Sequence, residues 1–252
     1  MIDTHSHILP GLDDGPDNFT ESVRIAEIAL SEGVKTIFAT PHCCNGVYSV
    51  NKDDIIKTCS NLTKKLEKEG VFVRIVPGAE IRINHDLIQE FDKGSLMTLN
   101  NAGTHILLEL PSMFLIKGIS LMIRQLCKRG VTPIIAHPER NPMILNWPGI
   151  VADLIYNGAA MQITAASLTG DFGKQAMRVA RDMVVMRQVF SLGSDMHPGR
   201  KYGMVKARER LIKLAGQKEA DLITHENPSA ILQTSSLPYE IQQDNNLQHK
   251  FL

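Results

Sequence analysis

The sequence predicts an α/β protein whose parallel strands close into a barrel within one domain. Three observations carry that expectation. Short apolar runs alternate with longer amphipathic ones, the pattern of repeated β–α units. About seven such runs fall within about 190 residues, with no reversal of the chain between halves and no low-complexity linker. Finally, all but one of the runs end in, or soon meet, a histidine or carboxylate, as strands do when their C-terminal ends share one functional face.

In order, strand 2–4 runs into His5-Ser6-His7. Helix 19–32 follows, with Asn18 as N-cap, Glu21 three residues on as a capping-box variant, and Gly33 just past the end. Strand 35–39 leads to Thr40-Pro41-His42, and the helical pattern 53–69 comes next. Strand 73–76 leads to Pro77-Gly78-Ala79-Glu80, then a short helix at 85–91. Strand 105–110 carries Glu109 near its end and precedes helix 118–128. Strand 132–136 opens into His137-Pro138-Glu139-Arg140-Asn141, followed by helix 149–156. Strand 160–163 is the exception, with no such residue at its end, and helix 170–186 follows it. Strand 188–192 gives Gly193-Ser194-Asp195-Met196-His197. The pattern is helical after Gly203, and a polar tail at 234–252 lies beyond the domain spanning 1–233.

Composition excludes several classes. Lysine plus arginine and aspartate plus glutamate both number 27, so no basic excess marks a nucleic-acid binder. Aromatic residues are 5%, too few for a base-stacking platform. The first residues lack the apolar core of a secretory signal. The longest apolar stretch, 106–123, is interrupted by Glu109, Pro111 and Lys117, so no transmembrane segment is expected. Cys43, Cys44, Cys59 and Cys127 form no C-x-x-C pair, and neighbours such as Cys43 and Cys44 rarely bridge, which fits a reduced cytoplasm. No cysteine is followed six residues later by arginine, which removes the cysteine-phosphatase mechanism; no phosphate-binding P-loop or dinucleotide fingerprint is present.

The polar strand ends point instead to metal. Residues i and i+2 of an extended strand point the same way, so His5 and His7 can grip one ion, and Asp195 and His197 repeat the spacing. Imidazole mixed with carboxylate suits zinc, iron or manganese better than calcium or magnesium. A lone H-x-H or the Asp13-Asp14 pair would be ordinary; a lone carboxylate in Ile-Leu-Leu-Glu-Leu is costly to bury unpaired. Together, His5, His7, Asp14, His42, Glu80, Glu109, His137, Asp195 and His197 make a polynuclear site the expectation. His85, His105, His225 and His249 lack the pattern; His85 and His249 are expected at the surface, and the methionines of 177–186 in the core.

The run Asp3-Thr4-His5-Ser6-His7-Ile8-Leu9-Pro10-Gly11-Leu12-Asp13-Asp14-Gly15 resembles the opening of the PHP (polymerase and histidinol phosphatase) superfamily. Thr40-Pro41-His42, Gly78-Ala79-Glu80, the His-Pro-Glu-Arg-Asn motif, Ser194-Asp195-Met196-His197 and Asn227-Pro228 with Ile231-Leu232 continue the likeness in order. More narrowly, the chain is similar to bacterial manganese-dependent tyrosine-protein phosphatases of capsule and exopolysaccharide operons. The resemblance implies a distorted (β/α)7 barrel and two to three divalent ions, manganese first, with iron or zinc also suited.

It further implies His5, His7, Glu80 and Asp195 around a first ion, Glu80 bridging to a second with Glu109 and His137, and Asp14, His42 and His197 around a third. Two arginines would take the substrate phosphate. Arg140 matches the first within its motif, and Arg200, on a loop shorter than the family's, is the choice for the second. The implied substrate is phosphotyrosine on an autophosphorylating bacterial tyrosine kinase. The alternatives are a small-molecule phosphoesterase of the histidinol-phosphatase kind, or a non-catalytic regulator, which filled ligand positions disfavour.

Overall fold

A computed structural model describes residues 1–43, 46–48, 50–111 and 118–233; the expected tail and Cys44 lie outside the described residues. The elements are, in order, β1 (Ile2–Ser6), α1 (Phe19–Ser31), β2 (Thr36–Ala39), β3 (His42–Cys43), α2 (Lys52–Lys68), β4 (Arg74–Pro77), β5 (Glu80–Arg82), α3 (Leu87–Asp92), β6 (His105–Glu109) and α4 (Ile119–Lys128). Then come β7 (Thr132–Ala136), α5 (Pro142–Asn146), α6 (Gly149–Tyr156), β8 (Ala160–Thr164), α7 (Ala165–Thr169), α8 (Gly173–Val185), β9 (Ser191–Gly193), α9 (Met204–Ala215), α10 (Gln217–Asp221) and α11 (Asn227–Leu232). No helix among the described residues is long and apolar enough to cross a membrane.

All the strand pairs are parallel and the sheet curls into a distorted barrel. It divides into two ladders, β1-β2-β4 and β3-β5-β6-β7-β8-β9. Two of the expected strands, β2 and β4, are each followed after a short break by a further strand that was not expected, β3 and β5. Between β2 and β3 stands Pro41, which has no N–H to give the ladder. The ladders are stitched by Thr40 N–H to Ser6 O (2.9 Å) and Glu80 N–H to Pro41 O (3.0 Å). On the other side, Asp195 N–H donates to His5 O (2.8 Å) and His7 N–H to Met196 O (3.1 Å), so the residues after β9 meet β1.

The barrel interior follows the two-residue period of a strand. Along β6, His105, Leu107 and Glu109 run from floor to mouth, while Ile106 and Leu108 pack under the helices. Ile2, Phe38, Val76, Leu107, Ile134, Ala160 and Phe190 fill the lower half as an apolar plug. Pairing of β1 with β2 is irregular between Asp3 and Ser6. Below that point Ile2 joins the plug; above it His5 and His7 turn to the mouth.

Four expectations are corrected in detail. Helix 170–186 starts three residues late, at Gly173, because Gly170 (φ +92°) takes the left-handed conformation that ends α7, a short helix the pattern did not declare. The last strand begins at Ser191 rather than 188, since Gln188 N–H still closes α8 on Met183 O. Glu21 completes its capping box one residue early: Asn18 Oδ1 accepts from Glu21 N–H (3.1 Å), but the Glu21 carboxylate accepts from Asp17 N–H (3.1 Å). Among the methionines of 177–186, Met183 is buried but Met186 is 66% exposed.

His105 sits at the barrel floor, buried and stacked on Phe190 with ring centroids 6.4 Å apart. Its Nδ1 meets Thr104 Oγ1 at 2.9 Å, and Nε2 has no hydrogen-bond partner. Burial pushes its pKa down to about 4. The unfolded chain therefore binds one more proton than the folded one between pH 6.5 and about 4, so stability falls as pH drops through that window. His105→Leu is expected to remove up to roughly 3 kcal/mol of this acid sensitivity. Denaturant midpoints of both proteins at pH 7 and pH 4.5 check it; parallel losses would count against it.

Candidate metal centre

The mouth of the barrel gathers all nine strand-end candidates. His5 and His7 bring their Nε2 atoms to 3.1 Å of each other. Two imidazole nitrogens that close make sense when both offer lone pairs to one cation, and their Nδ1 atoms are held accordingly. His5 Nδ1 meets Gln162 Oε1 at 3.2 Å, and His7 Nδ1 meets Asp13 Oδ2 at 2.5 Å. If each Nδ1 carries the proton, each Nε2 is left free to ligate.

Glu80, fully buried at the start of β5, lies at the centre. Its Oε2 is 3.3 Å from both Nε2 atoms and 3.0 Å from His42 Nδ1, and its Oε1 is 2.7 Å from His137 Nε2. Despite that approach, Glu80 Oε2 and His42 Nδ1 are not aligned for a hydrogen bond with each other, and neither buried atom has another hydrogen-bond partner. Such orphaned acceptors are costly unless a cation satisfies them, so the residues present fit a metal. Donor atoms lie within 4.8 Å of one another in three groups: His5, His7 and Glu80; His42, Glu80 and Glu109; and His7, Asp14, His42 and His197.

These groups differ from the implied ones. His42, not His137, shares the reach of Glu80 and Glu109, while His137 meets Glu80 through the opposite oxygen; His7 joins the Asp14 group. The Glu109 carboxylate is paired with Arg82, whose Nε and NH2 both lie 2.9 Å from Oε2. The residue expected to be costly to bury alone therefore has a charged neighbour supplied by the adjacent strand.

Asp195 faces two ways. Its Oδ1 is 3.6 and 3.5 Å from the His5 and His7 Nε2 atoms. Its Oδ2 accepts from Arg140 NH1 and from Arg200 NH1, the latter at 2.9 Å. Asp195 (φ +50°) and His137 (φ +34°) both take left-handed backbone conformations, strain of the kind that collects at functional sites.

Protonation follows this crowding. Burial would raise the Glu80 and Asp195 pKa values, but His5 and His137, joined at Asp195 by Arg140, hold both carboxyls well below the ordinary range. Burial would lower His7, yet the Asp13 hydrogen bond and Glu80 lift it to about 10. Burial and the neighbouring His7 bring His197 down to about 4.

Sequence reasoning passed over the residues behind this shell. Asp13 was an unremarkable loop carboxylate; it orients His7 and also accepts from His42 N–H (2.8 Å) and Gly15 N–H (3.0 Å). Its place beside Asp14 was the available signal. Gln162, on the one strand without a candidate ligand, orients His5. Asp3, fully buried, accepts from Ser194 N–H, Ser194 Oγ–H, Tyr202 O–H and His5 N–H at 2.8, 2.6, 2.6 and 3.2 Å. It thereby ties β1 to the loop bearing Asp195; nothing in the sequence pattern pointed to Tyr202. Asp13→Asn, which keeps shape and removes charge, is expected to weaken metal affinity about 10–100-fold. Calorimetric titration of the metal-free protein with manganese checks this, and an unaltered affinity would remove Asp13 from the site.

The likenesses agree with the geometry. Tyrosine-protein phosphatase YwqE of Bacillus subtilis strain 168 is 38% identical over 197 residues, 78% of this chain and 77% of the relative. A solved structure from the pair YwqE of Bacillus subtilis and CpsB of Streptococcus pneumoniae, described as metal-dependent tyrosine phosphatases, superposes with a TM-score of 0.89 at 34% identity. It covers 94% of this chain and 96% of that one. Histidinol phosphate phosphatase from Lactococcus lactis shares the fold alone, at TM-score 0.53 and 13% identity, covering 88% and 94% of the two chains. The profile described as "Capsular polysaccharide synthesis, CpsB/CapC" matches residues 1–233. That span takes in every strand end converging on Glu80, and the chain belongs to the CpsB/CapC family of capsular polysaccharide synthesis.

Proposed function

We propose that the chain is a metal-dependent protein-tyrosine phosphatase acting on a bacterial tyrosine kinase that controls capsule or exopolysaccharide synthesis, in the cytoplasm. The observation that carries this reading is Glu80 set among four imidazoles, with Asp195 reaching from the same cluster to two arginines. Residues 1–233 form the catalytic domain, and the tail at 234–252 stands outside it. Cys59 and Cys127 carry no disulfide, in keeping with a reducing compartment.

His5, His7, Asp14, His42, Glu80, Glu109, His137, Asp195 and His197 would hold two to three divalent ions, manganese first. When bound, such ions lower the pKa of a coordinated water to roughly 7 and neutralise charge on phosphoryl oxygens. The chain supplies the rest. Arg140 and Arg200 bind the phosphoryl group through charge-assisted hydrogen bonds and orient it toward the histidine cluster. Asp13 and Gln162 fix the His7 and His5 tautomers. A tyrosine phenolate, with pKa about 10, leaves without strong acid assistance.

The test is turnover of a phosphotyrosine peptide against histidinol phosphate, with manganese and after chelation. The peptide is expected to be the better substrate, chelation to stop hydrolysis, and His42→Ala and Asp195→Ala each to abolish it. Preference for histidinol phosphate would return the chain to the small-molecule phosphoesterases; full activity in both variants would sink the metal mechanism.

A further inference from the structure

Arg140 follows β7 and Arg200 follows β9, yet one aromatic ring serves both. Phe172, the residue before α8, has its ring centroid 4.4 Å from Arg140 Cζ and 5.6 Å from Arg200 Cζ. Both guanidiniums also direct NH1 to the same oxygen, Asp195 Oδ2. Two cations held so close repel each other, and their side chains are 28% and 36% exposed, so solvent and rotamer freedom would disperse them. The negative face of an aromatic ring attracts a guanidinium within about 6 Å. Phe172 therefore supplies what the Asp195 carboxylate alone does not: a neutral anchor that keeps both arginines together without competing for the anion they are to bind.

We propose that Phe172 is the positioning residue of the phosphoryl-binding pair, its ring holding Arg140 and Arg200 at the cleft mouth in the geometry that receives a phosphate dianion. The inference rests on the phosphatase reading for its biological meaning, but its test does not require turnover. Its rival is that Phe172 merely fills space, and leucine separates the two, since it is apolar and of similar bulk but has no π face. A larger ring is also accommodated: Phe172 and Arg140 line a cavity of about 370 Å³ with Leu145, Lys174 and Ala176, which leaves room for tryptophan.

The experiment uses the full chain loaded with manganese and reads three quantities: affinity for inorganic phosphate by calorimetry, KM and kcat for a phosphotyrosine peptide, and bound metal by elemental analysis. Phe172→Ala and Phe172→Leu are both expected to weaken phosphate binding about tenfold, the scale of two partly exposed cation–π contacts. KM should rise in parallel, with metal content unchanged, and Phe172→Trp should restore both affinities. Wild-type phosphate affinity in Phe172→Ala overturns the proposal, as does wild-type affinity in Phe172→Leu. So does a weakening that tracks loss of metal. A wild-type protein that binds phosphate in a Phe172-dependent way but leaves the peptide intact would overturn the phosphatase reading while sustaining the positioning role.

Discussion

Glu80→Gln is expected to lower hydrolysis of a phosphotyrosine peptide about a thousandfold or more, because it withdraws the charge around which the centre is built. Glutamine keeps the volume, so the β5 backbone and its pairing to β6 should persist. What changes is that four imidazole nitrogens within 3.3 Å lose their common anion, and an amide nitrogen or oxygen takes its place. Metal content should fall with activity. Elemental analysis of the purified variant beside its turnover separates this from a folding defect, which circular dichroism would show. A variant that retains both its metal and its rate would show that Glu80 is a bystander.

Gly193→Ala is the second large effect, and it acts through packing. A methyl group at residue 193 would sit 2.1 Å from Gln162 Nε2 and 2.6 Å from His5 Cβ. The glutamine can swing away, but then it no longer holds His5 Nδ1; the His5 Cβ is fixed to β1 and cannot move without the strand. Overpacking of this kind costs about 1–3 kcal/mol, which for a chain of this size lowers the melting temperature by roughly 2–12 °C. Manganese affinity should fall in the same variant because the His5 ring loses its orienting partner. A melting curve of the metal-free protein and a manganese titration test the two halves separately. A wild-type melting curve would show that the strand ends yield more easily than the spacing implies.

Much of the barrel was legible because its signals are local. Strand 132–136 and helix 149–156 match the structure in full, since a proline-flanked apolar run and an amphipathic run each declare themselves within a few residues. The breaks between β2 and β3 and between β4 and β5 were not legible. Those two- and three-residue strands exist because β5 and β6 offer them ladder partners, a tertiary fact that no local pattern encodes. The site divides the same way. His5, His7 and Asp195 could be found because strand ends converge in any parallel barrel. Gln162, Arg82 and Phe172 could not, because their roles depend on which atom of a neighbour they meet; Asp13 had only its place beside Asp14 to mark it.

The two faces of Asp195 have a further consequence. One oxygen looks to the histidine cluster and the other to both arginines, so the carboxylate is common property of the cation site and the anion site. An ion held at Oδ1, as proposed, would draw charge from the carboxylate and leave less for the guanidiniums at Oδ2, which would then be freer to meet phosphate. Thermodynamic reciprocity would then require that phosphate tighten the metal by the same factor that the metal tightens phosphate. With the proposed ligands, the shared carboxylate would make the cleft a linked two-ligand receptor, in which the apparent affinity for either is set by the supply of the other.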